Sequence, residues 1–417
     1  MNKKSVLLNA MLVVVSTIVS LAAAEFVLRT IIKPRAVLTR EMLRGLGVSD
    51  AEQNWDRDPD LGWVIKPNQT FRHVNPSGEF NIEVRTDERR FRIPLTGAKV
   101  EPADRTILFI GDSVTAAYEV EYEQSFVAKV ERELRKTEKV SAINAGIRGY
   151  SSEQSLKRLR QILDSGLKVD DIVYLFSLND PFENMNLHFP KRLMSKPAAY
   201  LDQDGKLKFL KLDHELGVLD SEATFVGPNG SINVLPVVGW EPTRRVVGAK
   251  IKYKPPANIL ERSYLYTLAE IAFETYLLPH DDIAAVNARY PYIKASYIKD
   301  DDGGFMPGDI DISWTPNSYP LQLLDAIIHE MQVETTRRGV RFLVALPLTA
   351  SPPMVKYFHD VTAKYGIALS DPTPTTQHWV DQCGGSLVFR TDGHYTACGH
   401  TAQAAALSDA LRQTLSH

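Results

Sequence analysis

The residue richest in possible chemistry is a serine that ends an apolar run. Ile107-Leu108-Phe109-Ile110 reads as a buried parallel strand, and Gly111-Asp112-Ser113 follows it at the carboxyl end, where α/β proteins bind their ligands. A serine hydroxyl near its free pKa is a poor nucleophile. It needs a base, a carboxylate to orient that base, and donors for a developing oxyanion. Among ten histidines, His394 stands apart, because Asp392-Gly393-His394 forms a polar turn just ahead of the last helical pattern. Asp392, two residues upstream, can accept from the second ring nitrogen and fix the tautomer. Two further strand ends carry amides. Asn144-Ala145-Gly146-Ile147-Arg148-Gly149-Tyr150-Ser151 leaves a second strand through a glycine-rich turn, which lets backbone approach a ligand closely, and Leu178-Asn179-Asp180 places a side-chain amide after a third. A backbone amide and an Asn amide aimed at one point make an oxyanion hole. Each piece taken alone is also ordinary turn and capping chemistry; their co-occurrence is what points to acyl transfer.

These residues need a scaffold that brings strand ends together. From about residue 105 the pattern alternates strand and helix. The strand at 107–110 is followed by Phe126, Val130 and Leu134 at helical spacing, then by a short strand at 140–144. Ser151 or Ser152 can cap a helix whose Leu156, Leu159, Ile162 and Leu163 share one face before Gly166, and 172–177 reads as the third strand. The alternation resumes with a helix over 321–333, a strand at 342–346, a helix after Pro353, a strand at 367–369 and a helix over 396–415. Five short β runs separated by helices predict a three-layer α/β/α fold with a five-stranded parallel sheet. The predicted organisation is a membrane-directed segment over 1–35, a polar lead-in or collar over 36–103, a first part of the α/β domain over 104–187, an insertion over 188–317 and a second part over 318–417. The insertion holds one helical pattern near 259–278 and an acidic run, Asp300-Asp301-Asp302-Gly303-Gly304, that reads as a solvated loop because calcium-loop spacing is missing.

Composition narrows the classes. A chain of 417 residues, 44% hydrophobic and 24% charged, can bury a full core, and a net charge of −3 offers no domain-wide basic field for nucleic acid. Lys3 and Lys4 precede an almost uncharged apolar stretch over 6–24, about the 20 residues a membrane helix needs. That stretch predicts an uncleaved single-pass anchor in the inner membrane with an exported, periplasmic catalytic domain; a signal peptide cleaved near Ala22-Ala23-Ala24, releasing a secreted protein, is the competing reading. Cys383 and Cys398 flank His394, and in an oxidising compartment they can pair, closing a loop worth about 3 kcal/mol in the chain-entropy model; two unpaired buried thiols are the alternative. His378, His394 and His400 lie near them without metal-ligand spacing, so no metal site is expected. Nothing in the sequence sets the oligomeric state.

Taken in order, these blocks resemble those of the SGNH, or GDSL-type, hydrolases: Gly111-Asp112-Ser113, Gly149 in Gly-Ile-Arg-Gly-Tyr-Ser, Asn179 in Ser-Leu-Asn-Asp, and His394 in Asp-Gly-His. The resemblance implies a flavodoxin-like sheet, Ser113 as nucleophile, His394 as base, an oxyanion hole from the Ser113 and Gly149 amides and the Asn179 side chain, and no metal or organic cofactor. It covers about 104–187 and 318–417. Leu61-Gly62-Trp63 and Arg90-Phe91-Arg92 are similar to phrases in membrane-anchored bacterial members. One departure bears on mechanism. Many members place the Asp three residues before the His, where this chain has Thr391; a group associated with polysaccharide O-acetylation uses the two-residue spacing of Asp392. The expected activity is hydrolysis of an acyl ester, foremost acetyl, on a small molecule or envelope carbohydrate. An O-acyltransferase acting on an exported polysaccharide and a non-catalytic glycan-binding scaffold are the rivals.

Overall fold

The computed structural model describes residues 3–31, 54–75, 78–97, 103–188, 196–211, 222–236 and 317–414, with short pieces between 293 and 314. The core is one mixed sheet. Its strands are β1 (Thr70–Val74), β2 (Asn81–Thr86), β3 (Arg92–Ile93), β4 (Arg105–Gly111), β5 (Val140–Asn144), β6 (Asp171–Leu175), β7 (Arg341–Ala345) and β8 (Ala368–Ser370), in the spatial order β8-β7-β6-β4-β5-β3-β2-β1. The five expected parallel strands are present as β4 to β8. The sheet as a whole is not five-stranded and parallel, however. It has eight strands, because β1, β2 and β3 from the lead-in join antiparallel at the β5 edge, through a single pairing of Arg92 with Asn144. The lead-in therefore closes a sheet edge that would otherwise expose unpaired backbone. In the sequence of the lead-in the alternation Phe80, Ile82, Val84 reads as a strand, but a short alternating run does not name its partner.

Strand side chains alternate between two faces, and each face has its own cover. Leu108, Ile110, Ile172, Tyr174, Phe342 and Val344 pack with apolar side chains of α4 (Ser152–Asp164), α5 (Tyr319–Arg337) and α6 (Pro352–Tyr365). Ile107, Phe109, Val173, Leu175, Leu343 and Ala345 pack with Phe126, Val130 and Leu134 of α3 (Phe126–Leu134) and Leu407 and Leu411 of α8 (Ala397–Gln413). This continuous burial explains why the β4, β6 and β7 runs read as uninterrupted apolar stretches. Ser151 opens α4 with a capping box completed by Gln154, as Ser-x-x-Gln signals. A helix not foreseen, α7 (Thr373–Gln382), follows β8; it buries none of its residues, so no apolar stripe marked it.

Among the parallel strands β4 lies inside the set, with β5 on one side and β6 on the other. The chain goes from β4 to one side and then crosses to the other, so the carboxyl end of β4 lies at the switch point where open α/β sheets form a crevice. Gly111 ends β4 there.

At the other end of the chain, α1 (Lys3–Ile31) is one helix of 29 residues that exposes Leu12, Val14, Ile18, Leu21 and Phe26. Among the described residues no helix is long and apolar enough to cross a membrane, so the expected span is not a feature these residues display. The helical pattern at 259–278 and the acidic run at 300–304 lie outside the described residues.

His400 shows how tightly the α3–α8 face is closed. It is 1% exposed, stacks on Phe126, and its Nδ1 accepts the Phe126 amide at 3.3 Å; burial drives its pKa down to about 3. A histidine that is neutral when folded but ionises freely when unfolded makes the unfolded state bind more protons below about pH 6.5. Its contribution is thus complete above that pH and declines as pH falls toward 3. Stability curves at pH 7 and 4.5 should differ less in His400→Asn, whose amide oxygen can accept the same bond, than in the wild type; equal losses in denaturant midpoint would refute this.

Candidate active site

Gly111 has φ +151°, and an added Cβ there would collide with the Thr115 side chain and the Leu175 carbonyl. Only glycine lets the chain turn so sharply out of the sheet. Asp112 then caps a four-residue helix, α2 (Ser113–Ala116), its carboxylate accepting the Val114 amide at 2.9 Å. Ser113 starts that helix.

The structure brings Ser113, His394 and Asp392 into one hydrogen-bonded chain. The Ser113 hydroxyl donates to His394 Nε2 at 2.7 Å, and His394 Nδ1 donates to Asp392 Oδ1. In that tautomer Nε2 is free to receive the serine proton. Burial works against the imidazolium, but the charge of Glu119 and then the hydrogen bond to Asp392 outweigh it, so the His394 pKa lies above the ordinary histidine value. Asp392 is desolvated too, yet its bond to His394 keeps its pKa below the usual carboxylate value.

The two amide sites lie on strands adjacent to β4. Gly149 follows β5 with φ +75° and is buried. Asn179 follows β6, and its Oδ1 accepts from the Ser177 hydroxyl at 2.8 Å, which leaves its NH₂ as the group available to a ligand. Asp180 braces this turn from beneath, accepting from the Tyr174 hydroxyl and from the Ser177 amide at 3.2 Å. Burial, then the charge of Asp112, pushes the Asp180 pKa well above the usual range.

Several site residues escaped the sequence reading. Glu119, 1% exposed, lies 3.7 Å from His394 Nδ1 and accepts from Arg148, which also donates to His73 Nε2 at 3.0 Å. Carboxylate and imidazole atoms of Glu119, Asp392 and His394 fall within 4.8 Å of one another, a metal-like grouping, but Arg148 already holds the Glu119 oxygen that faces His394. Arg92 is buried and donates to the carbonyls of Ala116, Ala117 and Val120, satisfying the end of α2 and the segment that carries Glu119. Trp63 Nε1 donates to the Arg148 carbonyl at 3.0 Å, and Tyr150 donates to the Trp63 carbonyl at 2.6 Å, so Leu-Gly-Trp packs on the turn that bears Gly149. Motif similarity marked Arg92 and Trp63 without their roles; Glu119 carried no signal at all.

The loop bearing His394 is held at three points. Cys383 and Cys398 are disulfide-bonded, with Cα atoms 5.8 Å apart. Glu79 accepts the Arg390 amide at 2.8 Å, the Thr391 amide at 3.1 Å and the Thr391 hydroxyl, and Phe80 packs on Phe389 with ring centroids 5.2 Å apart.

No family model matches this chain, and no curated protein matches it. Among solved structures, the chain is similar to TesA (13% identity, 74% of this chain and 99% of that one, TM-score 0.35). It is also similar to the psychrotrophic esterase EstA from Pseudoalteromonas sp. (10%, 75% and 100%, 0.36) and to the acetylxylan esterase Axe2 from Geobacillus stearothermophilus (11%, 74% and 94%, 0.33). At such scores the functional case belongs to the geometry of Ser113 and His394.

Glu79 is half-buried and its carboxylate is spent on the Arg390 and Thr391 backbone, so its removal should loosen the His394 loop more than the fold. Glu79→Ala is expected to lower turnover about tenfold to a hundredfold, as small misplacements of a catalytic group do, with little change in thermal midpoint. An unchanged turnover would show that the disulfide and the Phe80–Phe389 contact hold the loop without Glu79.

Proposed function

We propose that this protein is a serine ester hydrolase of the SGNH type. The observation that carries the reading is the 2.7 Å bond from Ser113 Oγ to His394 Nε2, with Asp392 on the opposite ring nitrogen. Serine, histidine and aspartate come from segments far apart in the chain, and their relay is recognised by geometry and roles rather than by sequence position.

The residues then act as follows. His394 takes the proton as Ser113 Oγ attacks the ester carbonyl, and the tetrahedral oxyanion faces the Ser113 and Gly149 amides and the Asn179 NH₂. Collapse of the intermediate expels the alcohol, to which His394 returns the proton, and leaves an acyl-serine. Water, deprotonated by His394, attacks the acyl carbon; Ser113 leaves with the proton and the acid is released. No step needs a metal or organic cofactor.

The substrate we infer is a small acyl ester, foremost acetyl, on an envelope carbohydrate, since Ser113 is half-buried just beyond the carboxyl end of β4 rather than in the core. The exposed apolar face of α1 supports attachment to the inner membrane, with the α/β domain on the periplasmic side, where a disulfide such as Cys383–Cys398 persists. The two-residue spacing of Asp392 and His394 favours a second reading, in which a sugar hydroxyl replaces water and the protein is an O-acyltransferase.

A fluorophosphonate probe should label the full chain and fail to label Ser113→Ala. Absence of labelling in the wild type would overturn the enzyme reading in favour of a binding scaffold. Asn179→Ala should cost about 10²–10³ in turnover on p-nitrophenyl acetate, the usual loss for one oxyanion donor. With an acetylated glycan supplied, free acetate marks the hydrolase, and acetate moved to a second glycan marks the transferase.

A further inference from the structure

We propose that Glu119 is a second carboxylate partner of His394, a positioning residue that holds the imidazolium formed when Ser113 gives up its proton. The assignment rests on the esterase reading above.

The geometry is specific. Glu119 Oε1 lies 3.7 Å from His394 Nδ1, on the ring nitrogen that Asp392 Oδ1 already accepts from. Glu119 is 1% exposed, and its other oxygen, Oε2, is buried without a hydrogen-bond partner. A buried carboxylate is costly unless it is paired, so its place beside a group that becomes charged during the reaction calls for an account. Its pairing besides His394 comes from Arg148, which donates to Oε1, with His73 Nε2 3.5 Å from the same oxygen.

Charge bookkeeping over the bonded cluster supplies that account. Asp392 and Glu119 are carboxylates held below the usual range; the pull that overcomes the burial of Glu119 comes first from the charged His394 ring and then from Arg148, and while the ring is neutral it is the Arg148 guanidinium on Oε1 that balances the Glu119 charge. Arg148 is a guanidinium. Burial, then the charge of Arg148, hold the pKa of His73, on β1, below the ordinary histidine value against the pull of Glu119 3.5 Å away, so it is counted as neutral. With His394 neutral the cluster thus carries two negative charges against one positive. Proton transfer from Ser113 to His394 makes it neutral overall. A site that is unbalanced at rest and balanced when the imidazolium forms stabilises the transition state more than the ground state, which is the condition for faster chemistry. The outer charged and titratable neighbours do not change this balance during the reaction. Arg92, on β3, is committed to backbone carbonyls, and His400, on α8, stays neutral.

The same cluster explains why Arg148 and Gly149 are neighbours in sequence. The residue that balances Glu119 also carries the carbonyl that Trp63 fixes, so the turn presenting the Gly149 amide is tied to the His394 electrostatics.

The test is the protonation of His394 itself, read by NMR of ¹³C-histidine-labelled full chain and assigned with His394→Asn, alongside the pH profile of kcat/KM on p-nitrophenyl acetate. Glu119→Gln keeps shape and removes charge; Arg148→Met removes the balancing cation. Glu119→Gln should move the His394 titration and the acid limb of activity down by about one unit, and Arg148→Met should move both up, because an opposite charge this close favours the protonated ring. A one-unit shift is about a tenfold loss of imidazolium stability, which Glu119→Gln should show in kcat rather than KM. A merely structural Glu119 would lower activity without moving the titration, and shifts of the same sign in both variants would equally overturn the proposal. A wild type that fails to hydrolyse any ester sinks the esterase reading, while the NMR titration still decides whether Glu119 governs His394.

Discussion

A neutral imidazole held between an alcohol and a carboxylate is the constraint on which this structure turns. Ser113 comes from the turn after β4, His394 from a loop 281 residues later, and the 2.7 Å between Oγ and Nε2 leaves no slack for either to drift. Fixing the serine is the simpler half. Gly111 turns the chain out of β4, Asp112 caps the short helix, and Arg92 ties down the carbonyls behind it. The histidine sits on a loop, where backbone is ordinarily mobile, so three independent restraints converge on it: a disulfide, the Glu79 carboxylate and the Phe80–Phe389 contact.

Two of those restraints come from the lead-in, and this changes its meaning. A segment read as a collar instead completes the sheet and then reaches across to both halves of the site. Through Trp63 it fixes the turn of Gly149; through His73 it joins the cluster of Glu119 and Arg148; through Glu79 it pins the residues just before Asp392. Sheet extension and site positioning are one device, since β1 and β2 are rigid only because they are paired to the rest of the sheet. His73 sits on β1 itself and Glu79 on the turn that joins β1 to β2, so the pairing of these strands limits how far either can drift.

The electrostatics follow the same economy. Every ionised side chain in contact with His394 has a partner, yet the partners do not sum to neutrality until the ring itself is charged. Burial raises the strength of these interactions by excluding water, and the same burial would make an unpaired carboxylate costly. Asp180 is the contrast within the same site. It is buried with donors from Tyr174 and Ser177 but no cation, and its pKa moves up instead of down.

The elements, and the three residues that the structure joins in the Ser113–His394–Asp392 hydrogen-bonded chain, were legible in the sequence because they depend on local order. Apolar runs of strand length marked β4 to β8, Ser151 or Ser152 marked a helix start, and Gly-Asp-Ser and Asp-Gly-His marked strand and loop ends, each within a few neighbouring residues. What the chain could not declare is which distant segments meet. That β1 to β3 add to the β5 edge, that Arg92 reaches the end of α2, and that Glu119 comes to rest beside His394 are all decided by packing in three dimensions. A lone Glu in Tyr118-Glu119-Val120 looks like any surface acid until folding removes it from water. Its significance lies in the charges placed around it, which no spacing along the backbone encodes.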